Sequence, residues 1–327
     1  MRTFTVEPAW HGKRLDRFLF AHCPGIAAPV IHRAFRKRDV RVNNKRSGAQ
    51  TLVFEGDAVT AYLPEPDVAG ADGGIGAFVP VILYEDDDIL VANKPRGVVV
   101  QDTRTGKASG EDQPYDALFL TWWRQHRAPL AEGFPALCHR LDRHTGGLLM
   151  LAKNEAARVA VGQALKAHHI RKFYRCLVAG TPNPRSAQID AWLEKDARAG
   201  RVYIHEQPHP HAVPIRTRYD TLLSDGDVSL LEVEIVTGRT HQIRAQLARL
   251  GHPVLGDSRY GNTRINRQYG VSGQLLWACR LQFDPGLDGA LSSARGRTIS
   301  CGISAEQVPA ELATRFAGFP PDTGTPS

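Results

Sequence analysis

From residue 81 onward, short apolar runs follow one another across turn signals so closely spaced that most neighbouring strands can join only as hairpins. VILYEDDDILVANKPRGVVV (81–100) holds two strands around an Asp-rich turn, and IRTRYDTLLSDGDVSLLEVEIVTG (215–238) holds two more. Helical patterns interrupt the series at PYDALFLTWWRQH (114–126), NEAARVAVGQALKAHH (154–169) and HQIRAQLARLG (241–251), with GGLLMLAK (146–153) and FYRCLVAG (173–180) as strands between them. Such an order leaves room for few β-α-β crossovers. The expected class is α+β, a mixed, mainly antiparallel sheet flanked by helices. Neither G-x-G-x-x-G nor G-x-x-x-x-G-K-[ST] occurs, which removes the usual support for a nucleotide-cofactor fold.

Residues 1–64 read as a separate small α/β module. Leu15, Phe18 and Leu19 form a helical apolar stripe, and a second helix is expected from about Pro29 to Lys37. DVRVNNKR (39–46) then alternates apolar and polar residues before an Asn-Asn turn, and QTLVFEGDAVTAYLP (50–64) reads as strand, turn and strand. Residues 65–79, rich in Gly, Ala, Asp and Pro, are expected to be a linker to a second domain at 80–318, and 319–327 a disordered tail. QDTRTGKASGEDQP (101–114) reads as a mobile loop inside that second domain.

Lys and Arg number 41 against 34 Asp and Glu in 327 residues, so an acidic polymer is a reasonable partner. The excess is concentrated in the first module, at Arg33, Arg36, Lys37, Arg38, Arg41, Lys45 and Arg46. Charge runs usually mark a solvated helix face. Cations held on a second helix and the turn after it are also what phosphate contacts need, which makes these seven residues candidates for RNA binding. The five cysteines are far apart, with no C-x-x-C pair or zinc-finger spacing, so a reduced, metal-free protein is expected. No stretch has the composition of a signal peptide or a membrane span, and a cytoplasmic monomer is the default expectation.

Three segments carry candidate chemistry. In ALCHRLDRHTGGLLMLAKN (136–154), Asp142 lies among Arg140, Arg143 and His144, and a carboxylate surrounded by cations stays ionised, suited to act as nucleophile or base. An ordinary ion pair in a turn is the plain alternative. In VTGRTHQIRAQLARLGHPVLGDSRYG (236–261), Arg239 and Arg244 flank the start of a helix, where a guanidinium can grip a carboxylate or a phosphate. His241 between them is, taken alone, more often a packed histidine than a reactive one. In IRKFYRCLVAG (170–180), Tyr174 interrupts a basic strand; it is either core or a platform on which a nucleobase stacks.

Taken together, H-R-L-D-x-x-T-x-G-L-L, K-x-Y-x-x-L-V-x-G and T-G-R-T-H-Q-I-R occur in the order found in RluA-type RNA pseudouridine synthases. The resemblance runs from about Ile82 to Phe283. The first module resembles the RNA-binding module first seen in a small-subunit ribosomal protein. Two residues depart from the family pattern. Gly146 stands where Ser is usual, and Trp277 stands where His is usual. The first could alter a hydrogen bond beside the Asp142 loop, and the second could change contacts to the RNA.

The resemblance implies an isomerase in which the Asp initiates cleavage of the uridine glycosidic bond. The uracil then turns, C5 rejoins C1′, and the C5 proton is lost, with no metal or cofactor. It casts Asp142 as the catalytic carboxylate, Arg244 as its partner and Tyr174 as the residue stacked on the uracil. Arg140 and Arg239 become candidates for phosphates or the space left by a flipped nucleotide, Leu276 for the opposite wall, and Thr145 and His241 for further substrate contacts. Large-subunit ribosomal RNA is the favoured target and transfer RNA the alternative. Two other readings compete: an RNA-binding or assembly factor that has lost catalysis, with Gly146 as the lesion, and an aspartate-dependent glycosidase, which would need a second carboxylate.

Overall fold

The computed structural model of the chain describes residues 2–22, 34–35, 39–61, 78–101, 113–303 and 307–316. The expected second helix (Pro29–Lys37) lies largely outside them, with only residues 34–35 described, both helical. The interior of the 101–114 loop, nearly all of the 65–79 stretch and the 319–327 tail also lie outside them. The chain divides into two compact units between residues 79 and 80.

In the smaller unit, β1 (Arg2–Thr5), β3 (Val40–Val42), β4 (Lys45–Arg46) and β6 (Ala58–Ala61) form an antiparallel sheet in the order β1-β6-β3-β4. A two-stranded ladder of β2 (Lys13–Arg14) and β5 (Leu52–Val53) accompanies it. Helix α1 (Leu15–His22) turns Leu15, Phe18 and Leu19 onto Val40, Val53 and Val59, and all six are fully buried. Asn43 and Asn44, at φ 49° and 68°, make the β3–β4 turn, in the left-handed conformation that a two-residue hairpin demands and Asn tolerates.

The larger unit is built on one sheet of eleven strands. Its elements in chain order are β7 (Val81–Glu85), β8 (Ile89–Lys94), α2 (Tyr115–His126), β9 (Ala136–Leu137), β10 (Thr145–Ala152) and α3 (Glu155–Lys166). Next come β11 (Ile170–Ala179), β12 (Ser186–Asp196), β13 (Arg201–His205), β14 (Ala212–Ser224), β15 (Val228–Ile235) and α4 (Gln242–Arg249). Then α5 (Thr263–Gln268), β16 (Leu276–Phe283), β17 (Thr298–Ser300) and α6 (Ala310–Arg315) follow.

The main path runs β13-β12-β14-β15-β11-β16-β10-β8-β7, with β9 against β10 and β17 against β16. The expected antiparallel hairpins are present at β7–β8 and β14–β15, and β12–β13 adds a third that the sequence reading did not name. One pair breaks the rule: β10 and β16 are parallel, Thr145 opposite Leu276 and Gly147 opposite Ala278. A parallel pair cannot be joined by a tight turn, so the chain between them must cross elsewhere. It does so through all of β11 to α5.

Helix α3 shows how sequence sets the layer on one face. Asn154 caps it by accepting from the Ala157 N–H at 2.8 Å, and Ala157, Val161 and Ala164 recur at helical spacing on its buried stripe. That stripe lies against Leu148 and Met150 of β10 and Leu281 and Phe283 of β16. At the parallel seam the strands come unusually close. Gly147 has φ +103°, and a Cβ there would meet the Ala278 carbonyl oxygen far inside contact distance, so only glycine fits.

Candidate active site

Because β10 and β16 run the same way, both start at one edge of the sheet, and the segments that enter them meet there. Residues 138–144 enter β10 and carry Asp142; Leu276 opens β16. A cavity of about 850 Å³ lies at this edge, lined by Arg140, Asp142, Thr145, Lys172, Tyr174, Arg239, His241, Arg244 and Leu276 among others. All eight residues that the sequence singled out for the reaction and its substrate thus face one space.

Asp142 and Arg244 meet directly. Arg244 Nη1 donates to Asp142 Oδ2 at 2.7 Å, while its Nε and Nη2 donate to the two oxygens of Asp257 at 2.7 and 2.9 Å. The Arg244 side chain is 7% exposed, Asp257 is fully buried and Asp142 is 24% exposed, so the guanidinium joins a sealed carboxylate to an open one. Burial alone would lower the Arg244 pKa, but the bonds and charge of Asp257 and Asp142 outweigh it and raise it. Burial likewise pushes Asp257 up, but Arg244 and the N–H groups of Arg259 and Tyr260 hold it below the usual carboxylate range.

Arg244 is placed by the start of α4. His241, at φ 56°, caps the helix in the left-handed conformation. Buried Gln242 accepts from the Thr237 hydroxyl and the Arg239 N–H and donates to the Arg216 carbonyl and the Thr217 hydroxyl, tying the turn to β14. His241 Nδ1 lies 3.0 Å from the Tyr260 hydroxyl and its Nε2 3.9 Å from Asp142 Oδ2. Burial lowers the imidazole's pKa, partly opposed by Asp142. Neutral imidazole beside the carboxylate is the result at ordinary pH.

Tyr174 is 6% exposed, and a register shift between Phe173 and Tyr174 in the β11–β16 ladder marks a bulge at this point. Bulges re-aim side chains beside functional sites, and the ring lines the cavity two residues after Lys172. Burial, then the charge of Asp142, raises the Tyr174 phenol. Desolvation lowers the pKa of the Lys172 ammonium. Leu276 is buried opposite Thr145, and the Thr145 hydroxyl accepts from Gln274 Nε2 at 3.3 Å. Arg140 and Arg239 are exposed, on the cavity's rim.

The Asp142 loop is held by residues to which the sequence gave no role. Lys94, 1% exposed, donates to the carbonyls of Pro95 and Val98 at 2.8 Å and of Arg143 at 3.3 Å. Burial lowers its pKa to about 7, with Asp142 opposing. Arg96 donates to the carbonyls of His144, Gly273, Gln274 and Gln307, knitting the entries of both seam strands together. The signal available in the sequence was Asn-Lys-Pro-Arg-Gly after an apolar strand, a cation in a turn with no acidic neighbour to pair with.

Both departures from the family pattern fall on that brace. Gly146 and Trp277 are register partners, and a Cβ at 146 would lie 2.9 Å from Arg96 Cγ and 3.3 Å from Trp277 Cδ1. The Arg96 guanidinium sits over the indole, 5.3 Å from its centroid. Trp277 is 2% exposed and packs in the core beneath the loop, so any change it makes to RNA contacts acts through that loop. The missing Cβ at 146 is room for the larger ring.

Of the seven basic candidates in the smaller unit, Arg33, Arg36, Lys37 and Arg38 lie outside the described residues. Lys45 and Arg46 are exposed on the β3–β4 hairpin, and Arg41, half-buried, pairs with Arg46 across it. The four described cysteines form no disulfide, and no described helix is long and apolar enough to cross a membrane.

A mainly antiparallel sheet with an Asp–Arg pair and a tyrosine at one cavity defines a class, and comparison with known proteins names it: the chain belongs to the RNA pseudouridylate synthase family, whose model matches residues 88–249. It is an RNA pseudouridine synthase by that membership. Its relatives include ribosomal large subunit pseudouridine synthase C of Vibrio cholerae, 32% identical over 85% of this chain and 87% of that one. The protein of the same name from Escherichia coli is 33% identical, over 83% and 85%. Among solved structures, human RNA pseudouridylate synthase domain containing 4 shares the fold, with a TM-score of 0.56 and 22% identity over 72% of this chain and 93% of that one.

Proposed function

We propose that this enzyme isomerises uridine to pseudouridine in large-subunit ribosomal RNA, with Asp142 as the catalytic carboxylate. The observation that carries the assignment is the 2.7 Å contact between Asp142 and Arg244 on a cavity wall shared with Tyr174. Asp142 keeps enough exposure to reach a ribose or a base, and Arg244 fixes its orientation. The target uridine is turned out of its stack into the cavity, at a cost of a few kcal/mol (about the usual unstacking energy), and its uracil lies between Tyr174 and Leu276. Asp142 opens the N1–C1′ bond as nucleophile or base; after the uracil turns, C5 joins C1′ and frees Asp142 from any bond it made, the C5 proton passes to solvent, and N1 takes up a proton. Arg140 and Arg239 on the rim hold flanking phosphates, and Thr145 and His241 complete the wall around the nucleotide.

Ribosomal RNA is favoured by the names of the relatives and by the exposed Lys45 and Arg46 on the separate amino-terminal unit, read as part of an RNA-binding surface. The competing readings lose ground. A glycosidase needs two carboxylates flanking one bond; Asp257, joined to Asp142 through Arg244, is sealed and doubly bound, and Asp116, the other acidic residue lining the cavity, accepts the Ala117 N–H at the start of α2. A dead enzyme disabled at residue 146 is disfavoured because Gly146 faces Arg96 and Trp277, while Asp142 keeps its bond to Arg244.

The test is tritium release from RNA labelled at uridine C5. Wild type is expected to release label from large-subunit ribosomal RNA, and Asp142→Asn to lose about a thousandfold or more. Equal release by the variant removes Asp142 from the chemistry; release from transfer RNA alone moves the target.

A further inference from the structure

Away from the cavity, the β12–β13 hairpin brings together three side chains that the reaction does not use. Glu194 stands on β12, His205 ends β13, and His209 lies in the turn that leads to β14. None of the three lines the cavity. The sequence contains the run His-Glu-Gln-Pro-His-Pro-His at 205–211, but with its partner Glu194 eleven residues earlier it matches no metal motif by spacing.

We infer that Glu194, His205 and His209 bind one divalent transition-metal ion of the zinc class. Two observations lead there, the convergence of the ligand atoms and the chemistry of the donor set. The ligand atoms converge: His205 Nε2 lies 2.9 Å and His209 Nδ1 3.4 Å from the same Glu194 oxygen, and the three atoms all lie within 4.8 Å of one another. Two nitrogens and an oxygen held at about 2.0–2.2 Å from a tetrahedral ion stand roughly 3.3 Å apart, so the spacing of the three atoms is close to that of such a site. The two imidazoles are stacked, 4.0 Å between centroids and 1° between planes; an ion lies in the plane of each ring that binds it, so the His209 ring, in the turn, has to rotate out of the stack as the ion enters.

The donor set is also chemically suited. Imidazole and carboxylate together favour zinc and its neighbours over calcium or magnesium, which take oxygen ligands. Exposure of 28%, 31% and 45% for the His205, Glu194 and His209 side chains leaves a path for the ion and a fourth position for water. Glu194 and His205 are fixed on paired strands, while His209 Nδ1 also lies 2.9 Å from the Pro210 carbonyl. Nδ1 therefore carries the ring proton when no ion is bound, and binding there requires the tautomer with that proton on Nε2. A bound ion would staple the turn at 206–211 to the hairpin. Lys195, next to Glu194 on β12, lines the cavity, so that hairpin is also one of its walls.

The experiment titrates chelator-treated full-length protein with cobalt(II) and follows visible absorption. One ion per chain is expected, with bands of four- or five-coordinate cobalt, no thiolate charge transfer in the near ultraviolet, and displacement by zinc. Glu194→Gln and His209→Ala should each weaken binding at least tenfold, circular dichroism confirming that both variants fold. The inference is overturned by no saturable binding at micromolar metal, by thiolate bands that place the ion on cysteine, or by unchanged affinity in both folded variants.

Discussion

The cavity has a floor and a rim, and they are built on opposite principles. On the floor, Arg244 is buried with every side-chain nitrogen on a carboxylate, and the Lys94 nitrogen is within bonding distance of three carbonyls. On the rim, Arg140 and Arg239 are exposed to water. A buried charge is tolerable only when fully paired, and such pairing fixes geometry; an exposed charge stays mobile and screened, free to meet a polyanion of variable shape. On the proposed function the floor sets the reaction geometry while the rim supplies affinity, and substitutions in the two should fail differently.

The largest effect is expected at Asp257. Asp257→Ala leaves the buried Arg244 with half its partners, at a cost of about 3–5 kcal/mol, seen as a lower denaturation midpoint together with loss of turnover. If stability holds and only RNA affinity falls, the division between floor and rim is wrong at its centre. Next is the seam. Gly146→Ser forces its Cβ onto Arg96 and should cost roughly 1–3 kcal/mol of overpacking, and adding Trp277→His should recover much of that. A double-mutant cycle measures the coupling, and additive losses would show that the two departures are independent.

A third prediction concerns acid. Burial, with Lys172 nearby, pushes His139 down to about 3, and its Nε2 accepts the Met150 N–H. Between pH 6.5 and about 3 the unfolded chain binds a proton there that the folded chain refuses, so this group's contribution to stability is full above 6.5 and is lost as pH falls. The loss is at most about 1.4 kcal/mol per pH unit. His139→Gln, which keeps an acceptor, should show a smaller drop in urea midpoint from about pH 7 to about pH 5 than wild type. The smallest effect belongs to the rim: Arg239→Ala should weaken RNA binding severalfold, lower the salt slope by about one, and leave turnover at saturation nearly unchanged. A loss confined to turnover would move Arg239 to the floor.

Much of this site is legible in the sequence. Asp142, Tyr174 and Arg244 each stand in a motif whose residue types announce charge and stacking, and hairpin spacing announces the antiparallel sheet. What stays hidden there depends on long-range register. Nothing near Lys94 says that its acceptors include the Arg143 carbonyl, 49 residues on, and nothing near Gly146 says that residue 277 lies across from it. Asp257 sits in a segment that resembles the family, yet its burial beneath Arg244 follows from how α4 packs, which no local pattern encodes. The parallel β10–β16 pair escapes a reading of the sequence for the same reason, since turn signals report only neighbours along the chain.

That seam also sets a schedule. Thr145 and Asp142 leave the ribosome long before their counterpart at Leu276, and α4 with Arg244 comes between. The strand that completes the Asp142 pocket is thus made only after β11 through α5. A nascent chain of this enzyme, synthesised on the kind of particle whose RNA it is proposed to modify, holds its aspartate, tyrosine and arginine unassembled until synthesis has passed Phe283.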